Sequence, residues 1–415
     1  MTIETKNRTL SSAFIKRVFF VAATPLLILS ATPALALTTV TGFGSNPGAL
    51  NMYKHVPAGM PANAPLVVAL HGCTQTAAAY ESAGWTALAN THKFYVIYPE
   101  QVSGNNSNKC FNWFESGDIG RGAGEALSIK QMVDKMKADY SIDASRVYVS
   151  GLSAGAFMTT VMAVTYPDVF AGAAPIAGGP YKCGIGTSGA FSCMSPGVDK
   201  TPAAWGDLAR SGYSGYSGRK PIFSIWHGTS DTTVKPLNMT ETMEQATNYL
   251  GVDQTADVSD TVGGFPHKVY KDGSGNAVVE TYSITGMAHG TPVDPGTGAS
   301  QCGTAGAYIL DVNVCSSYYI GKFFGIIGSG GTTTTTTASG GTTTTTATAT
   351  TTTLAPGACF NSSNSAHVTA GRAHNNLGYA DANGSNQRMG LNNTFYTSKL
   401  RRTGTNYYVI DSTCP

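Results

Sequence analysis

The chain has 415 residues, of which 42% are hydrophobic and only 12% charged, with a formal net charge of +2. That charge content is about half the ~25% usual for soluble globular proteins. With no long Lys/Arg run, it excludes nucleic acid as a partner, because phosphate binding needs a clustered positive field. The hydrophobic share excludes a disordered polyampholyte, and the length allows two or three domains at ~100–200 residues each.

Lys6, Arg8, Lys16 and Arg17 form a basic leader, Val18 to Leu29 an apolar stretch, and Ala34-Leu35-Ala36 a small-residue cleavage site, so residues 1–36 read as a signal peptide. The stretch is short and broken by Pro25, which favours a cleaved leader over a signal anchor. The mature protein is expected to be secreted and extracellular, with no membrane contact after cleavage.

Past the leader, short apolar runs alternate with helical patterns. Pro65 to Leu70 and Phe94 to Tyr98 predict buried strands, separated by a helix-compatible stretch from Ala77 to Asn90. Gly124 to Tyr140 has helical periodicity in Leu127, Met132, Val133 and Met136; Arg146 to Ser150 predicts a strand, Ala154 to Tyr166 a helix and Gly172 to Ala177 a strand. Pro221 to Trp226 and Ala277 to Ile284 complete the strands. The alternation predicts an α/β fold whose mainly parallel sheet is covered on both faces, with its site at the carboxyl ends of the strands. From Gly328 the chain is nearly all Gly, Thr, Ala and Ser, with no apolar face to bury. The organisation expected is therefore a leader (1–36), a large domain (37–327), a Thr/Gly-rich linker (328–354) and a small domain (355–415).

All eight cysteines follow the cleavage site, and an even number in an oxidising compartment reads as disulfides. Eight cysteines allow 105 connectivities. The expectation is nearest-neighbour pairing: Cys73 with Cys110, Cys183 with Cys193, Cys302 with Cys315, and Cys359 with Cys414. No C-x-x-C pair is present, and His367 and His374 are too far apart for an i, i+4 pair, so no metal and no cofactor are expected.

Three strand ends carry reactive residues. Gly151-Leu152-Ser153-Ala154-Gly155 joins a strand to a helix; 49 glycines make the pentapeptide alone unspecific, but this context fits a nucleophile elbow with Ser153 at its apex. His227-Gly228-Thr229-Ser230-Asp231 follows the strand at Pro221 to Trp226 and offers Asp231 to orient an imidazole. Asp260 and Asp272 are poorer candidates because neither follows so clear a strand. Gly286-Met287-Ala288-His289-Gly290 follows the last strand and offers His289 as general base. Of its competitors, His227 precedes the acid and shapes the loop, while His267 lacks a preceding strand and reads as surface. Leu70-His71-Gly72-Cys73 ends an early strand where one oxyanion donor belongs, so the N–H groups of Cys73 and Ala154 are assigned to the oxyanion hole. Trp113 and Tyr80 are candidates for lining the acyl pocket, with packing as the alternative.

In this order, LHGCTQ (70–75), Asn112-Trp113-Phe114, Arg121-Gly122-Ala123-Gly124-Glu125, GLSAGAFM (151–158), HGTSD (227–231) and GMAHG (286–290) resemble the extracellular poly(3-hydroxybutyrate) depolymerases. The similarity is to the short-chain polyhydroxyalkanoate depolymerases whose oxyanion motif precedes the serine. It implies an α/β-hydrolase fold with Ser153, Asp231 and His289 as triad and Cys73 at the oxyanion hole. Feruloyl and acetylxylan esterases share much of the pattern and supply the alternative, a plant-cell-wall esterase; an inactive adhesion protein is the third reading. Residues 366–374, 384–386 and 389–391 resemble the substrate-binding domain of the same depolymerases. The partner implied is an insoluble polyester surface, contacted by some of Phe360, Tyr379, Phe395, Tyr396, Tyr407 and Tyr408, with a small excess of cations (Arg372, Arg388, Lys399, Arg401, Arg402). A monomer is expected.

Overall fold

The structure, a computed structural model, describes residues 1–2, 37–328 and most of 359–413; the rest of the expected leader and residues 329–354 of the expected linker lie outside the described residues. The chain divides into two compact units, Met1–Thr332 and Thr333–Pro415, with the boundary inside the threonine-rich segment.

The first unit is built on one ten-stranded sheet. In chain order its elements begin with β1 (Thr38–Val40), β2 (Asn51–His55), β3 (Ala64–Leu70), α1 (Ala77–Tyr80), α2 (Trp85–His92), β4 (Tyr95–Glu100), α3 (Gly124–Asp139), β5 (Ile142–Leu152), α4 (Ala154–Thr165) and β6 (Gly172–Ile176). They continue with α5 (Gly186–Met194), α6 (Pro202–Arg210), β7 (Ile222–Gly228), α7 (Leu237–Leu250), β8 (Val258–Val262), β9 (Phe265–Lys271), β10 (Ala277–Ile284), a small parallel pair β11 (Thr291–Val293) and β12 (Ile309–Asp311), and α8 (Ser316–Phe323). The sheet order is β1-β2-β4-β3-β5-β6-β7-β10-β9-β8. Its six central strands, β4 to β10, are mutually parallel, and antiparallel strands flank them on each side. This is the expected mainly parallel α/β sheet, with edge strands that the sequence reading lacked.

Burial explains the strands. All seven residues of β3 and all five of β6 are buried, as both faces of a parallel sheet covered by helices require. α4 is enclosed on every side, so it is apolar all round. Its Thr159, Thr160 and Thr165 hydroxyls donate to carbonyls four residues earlier at 2.8, 3.2 and 2.7 Å, which satisfies them without water. α3 is amphipathic: Ile129, Met132, Val133 and Met136 face the core, while Lys130–Asp134 and Lys135–Asp139 pair on its outer side. The single helix expected from Ala77 to Asn90 is broken, because Gly84 turns left-handed (φ 98°) between α1 with its 3-10 extension and α2. Three expected disulfides join Cys73 to Cys110, Cys183 to Cys193 and Cys302 to Cys315.

The second unit carries β13 (Cys359–Ser363), α9 (Asn364–Thr369), β14 (Ala373–Asn376), β15 (Tyr379–Ala382), β16 (Arg388–Leu391), β17 (Thr397–Gly404) and β18 (Tyr407–Ile410), in two three-stranded antiparallel sheets. Its apolar core is small: Ala382, Leu400 and Tyr408, with Phe360 and Met389 against them. Phe360 and Tyr408 therefore serve packing. Arg388 pairs with the buried Asp381 at 3.1 Å, and Arg401 with Asp411 at 2.5 Å, so part of the cationic excess is neutralised internally. Cys359 is disulfide-bonded; Cys414, its expected partner, lies outside the described residues.

Phe157 of α4 stacks on Trp113 with centroids 3.8 Å apart and is 2% exposed. Phe157→Ala should lower unfolding stability by about 3–5 kcal/mol in denaturant titration; a loss below ~1 kcal/mol would show that this stack does not anchor the helix.

Candidate active site

Ser153 occupies the junction of β5 and α4 with φ 56° and ψ −119°, a strained conformation for a residue with a Cβ. Its N–H donates to Ile176 O at 3.0 Å, which ties the elbow to β6. The turn is possible because Gly151 and Gly155 lack side chains. A Cβ on Gly151 would lie 2.7 Å from the Leu70 carbonyl oxygen, and one on Gly155 would run into the carbonyls of Leu70 and His71. The Ser153 turn is thus seated directly on the end of β3. Ala154, as first residue of α4, has an N–H with no partner inside the helix.

The end of β3 is held by a set of buried polar groups. His71, fully buried, places Nδ1 2.7 Å from Gly72 O, and its Nε2 accepts the Gln101 N–H at 3.1 Å. These partners fix the proton on Nδ1, and burial brings the imidazole down to about 4, so it stays neutral. Gln75 accepts the Gly72 N–H at 2.9 Å. The Cys73–Cys110 disulfide ties this loop to the segment after β4. That segment is in turn held by Glu125, which accepts the Asn112 N–H at 2.9 Å and a bond from the Gln101 side-chain amide; burial beside Asp118 pushes the Glu125 carboxyl up to about 8.

Two further strand ends bring the expected acid and base, Asp231 and His289, together. Asp231 Oδ2 lies 2.7 Å from His289 Nδ1, and Asp231 Oδ1 accepts the N–H groups of Thr233 and Val234 at 2.8 and 3.0 Å. His227 Nε2 sits 2.9 Å from Val234 O and 3.4 Å from Asp231 Oδ2, so its N–H faces both. Burial alone would raise the Asp231 carboxyl, but the bonds from His227 and His289 outweigh it and hold the group well below the ordinary carboxylate range. The two loops are zipped by Ser230 N–H to Met287 O and Thr229 N–H to Ile284 O, both 3.0 Å. Gly228 permits this: a Cβ there would lie 2.8 Å from Ala288 O. With Nδ1 engaged by Asp231, His289 has Nε2 left to act on a hydroxyl.

Two candidate pocket residues are buried. Tyr80 is fully enclosed, its hydroxyl 3.4 Å from Thr291 Oγ1, which places it in the core as the packing alternative had it. Trp113 is 4% exposed and spends one ring face on Phe157. His267 is corrected: it lies within strand β9, 7% exposed, with Nδ1 2.7 Å from Asp260 and Nε2 3.2 Å from Glu280. Both nitrogens are taken by carboxylates, which leaves none for a serine. Asp272 caps the β9–β10 turn through the N–H groups of Ser274 and Asn276. Among the described residues no cluster of His, Cys, Asp and Glu is arranged to hold a metal.

This geometry has two measurable consequences. Ser153→Ala and His289→Ala should each lower kcat on a soluble ester by at least ~10³-fold with no fall in melting temperature, and the double variant should cost little more than either alone; additive losses would show that the two do not act as a unit. His71 binds its proton in the unfolded chain near 6.5 and in the folded protein only near 4. Its contribution to stability is therefore complete above pH 6.5 and lost as pH falls toward 4. His71→Asn should flatten that acid-side decline in melting temperature relative to the wild type; parallel pH curves would contradict the neutral buried imidazole.

Residues 50–260 match the family described as Esterase PHB depolymerase. Poly(3-hydroxyalkanoate) depolymerase C of Paucimonas lemoignei is 75% identical over 323 residues, covering 78% of each chain. Feruloyl esterase B of Neurospora crassa is 37% identical over 280 residues, covering 65% of this chain and 93% of its own. The solved acetyl xylan esterase from Aspergillus awamori superposes with a TM-score of 0.60 at 29% identity, over 70% of this chain and 99% of its own. With an α/β-hydrolase sheet, a serine elbow and an Asp–His pair at adjacent strand ends, the chain is a carboxylic-ester hydrolase and belongs to the esterase PHB depolymerase family.

Proposed function

We propose that this esterase hydrolyses poly(3-hydroxybutyrate) to 3-hydroxybutyrate and its oligomers, with Ser153, His289 and Asp231 as the triad. The observation that carries the reading is the 2.7 Å Asp231–His289 pair on the two zipped loops at the ends of β7 and β10, in a chain 75% identical to a polyhydroxyalkanoate depolymerase. Ser153 Oγ attacks the ester carbonyl and passes its proton to His289 Nε2. The N–H groups of Cys73 and Ala154 hold the oxyanion. As it collapses, the ester C–O bond breaks and His289 returns the proton to the departing hydroxyl-ended chain. Water then attacks the acyl-enzyme, with His289 again as base, and releases the 3-hydroxyacyl group as its acid. Asp231, kept ionised, stabilises the imidazolium in both halves.

Three paired disulfides in the catalytic unit support export to an oxidising compartment, together with the leader-like first 36 residues. The Thr333–Pro415 unit is assigned to the polymer surface: a tethered weak contact raises the effective concentration of the catalytic unit on a solid that cannot diffuse into a site.

Incubation with poly(3-hydroxybutyrate) granules should clear the suspension and release 3-hydroxybutyrate; release of ferulate or acetate from cell-wall polysaccharide, without clearing, would transfer the reading to the more distant feruloyl and acetylxylan esterases. A chain ending at Ile327 should keep its kcat/KM on a soluble ester and lose most granule activity. Undiminished granule activity would remove the role given to the second unit.

A further inference from the structure

Tyr80 and Trp113 are both buried, and a more exposed aromatic stands beside His289. Tyr308 is 47% exposed, and its ring stands edge-on to the His289 imidazole, centroids 6.2 Å apart at 73°. It is also the one aromatic among the described non-glycine residues with a positive φ (59°). A bulky side chain in this conformation is strained, and an exposed ring recovers little of that cost through burial. The fold nevertheless holds it rigidly. Gly306 and Ile309 exchange backbone hydrogen bonds at 2.9 and 3.0 Å, closing a tight turn with Ala307 and Tyr308 at its tip. The Tyr308 carbonyl accepts the Thr291 N–H at 2.9 Å, and Gly290 is packed so closely that a Cβ there would lie 2.9 Å from the same carbonyl oxygen.

A single buried side chain links this turn to the oxyanion loop. Gln75 accepts the Gly72 N–H through Oε1 and donates through Nε2 to Ala307 O, both at 2.9 Å. Tyr308 is therefore positioned relative to the oxyanion loop on one side and to His289 on the other.

The reaction fixes which part of an ester passes this ring. With the carbonyl oxygen at the N–H groups of Cys73 and Ala154, and the carbonyl carbon at Ser153, the ester oxygen must face His289, because the same imidazole protonates it on departure. The chain beyond that oxygen then runs along the flank of His289, where Tyr308 stands. We infer that Tyr308 is a specificity-determining residue that holds the leaving-alcohol segment of the polyester, so that it discriminates chain-like alcohols from short ones. A flat aromatic ring with a polar tip suits an uncharged chain of alternating methyl-bearing carbons and ester groups, since it offers large contact area at low entropy cost. This inference rests on the proposed ester hydrolysis and adds the side of the bond that the ring contacts.

The test uses two esters that form the same acyl-enzyme, methyl 3-hydroxybutyrate and the linear 3-hydroxybutyrate dimer as the shortest oligomer, with the full-length chain. Because kcat/KM reports steps through acylation, the shared deacylation step drops out of the comparison. Tyr308→Asn keeps a residue that tolerates the left-handed backbone while removing the ring. It should lower kcat/KM on the oligomer about tenfold more than on the methyl ester, whereas Tyr308→Phe should keep the wild-type ratio. Tyr308→Ser should repeat the effect of the asparagine variant, and melting temperatures report whether each variant folds. A fall by the same factor on both esters, or no fall on either, overturns the inference. A wild-type protein inert on the oligomer overturns the proposed function itself, which distinguishes the two failures.

Discussion

The active site depends on one close approach of backbone to backbone, that of the Ser153 turn to the end of β3. Gly151 and Gly155 come against the carbonyls of Leu70 and His71 with no room for a Cβ. That contact sets the distance between the nucleophile and the strand end assigned to the oxyanion donors, and no side chain could substitute for it. The polar groups around it follow as consequences. Once the strand end is enclosed, the Gly72 N–H and Gly72 carbonyl need partners, and Gln75 and the neutral His71 provide them. Preorganised donors of this kind need no rearrangement when charge develops on the substrate.

The same logic operates on the acid and base. Gly228 lets the loop after β7 lie against the carbonyls of Met287 and Ala288, and the buried Asp231 receives His289, two backbone N–H groups and the approach of His227. A carboxylate so surrounded stays charged without solvent, and its orientation is fixed before any substrate arrives. Both halves of the site thus rest on glycines that admit carbonyls, with buried hydrogen bonds completing what the close approach leaves open.

Much of this was legible in the amino-acid sequence because it is local. An apolar run ending in a glycine-flanked Ser, Asp or His marks a strand end, and four of the six parallel strands (β3, β5, β7 and β10) announce themselves in this way. The flanking elements did not. α7 buries Asn238, Glu241, Thr242 and Gln245, so its sequence lacks an apolar stripe; these polar groups are satisfied by distant partners such as Tyr181, Trp205 and Cys193 that only the fold supplies. His267 misled for the same reason: the Asp260 and Glu280 carboxylates that claim it arrive through sheet pairing. Tyr308 carried no motif at all, since its place beside His289 comes from a turn anchored by Gln75, more than two hundred residues earlier. The nearest signal was compositional, a lone tyrosine in a Gly/Thr/Ala segment.

The backbone at Ser153 also restricts which nucleophile this turn can carry. At φ 56° and ψ −119° a β-branched side chain is more strained than serine, so threonine, although chemically a hydroxyl, is disfavoured here. Serine and cysteine remain as the unbranched side chains with a nucleophilic atom one bond from Cβ. Cysteine would add an odd thiol to a chain whose described cysteines are all engaged in disulfides, and one unmatched thiol invites mispairing during oxidative folding. The steric limit comes from the elbow and the redox limit from the disulfides; together they favour serine, so the choice of nucleophile follows from conformation and cysteine bookkeeping before reactivity is considered.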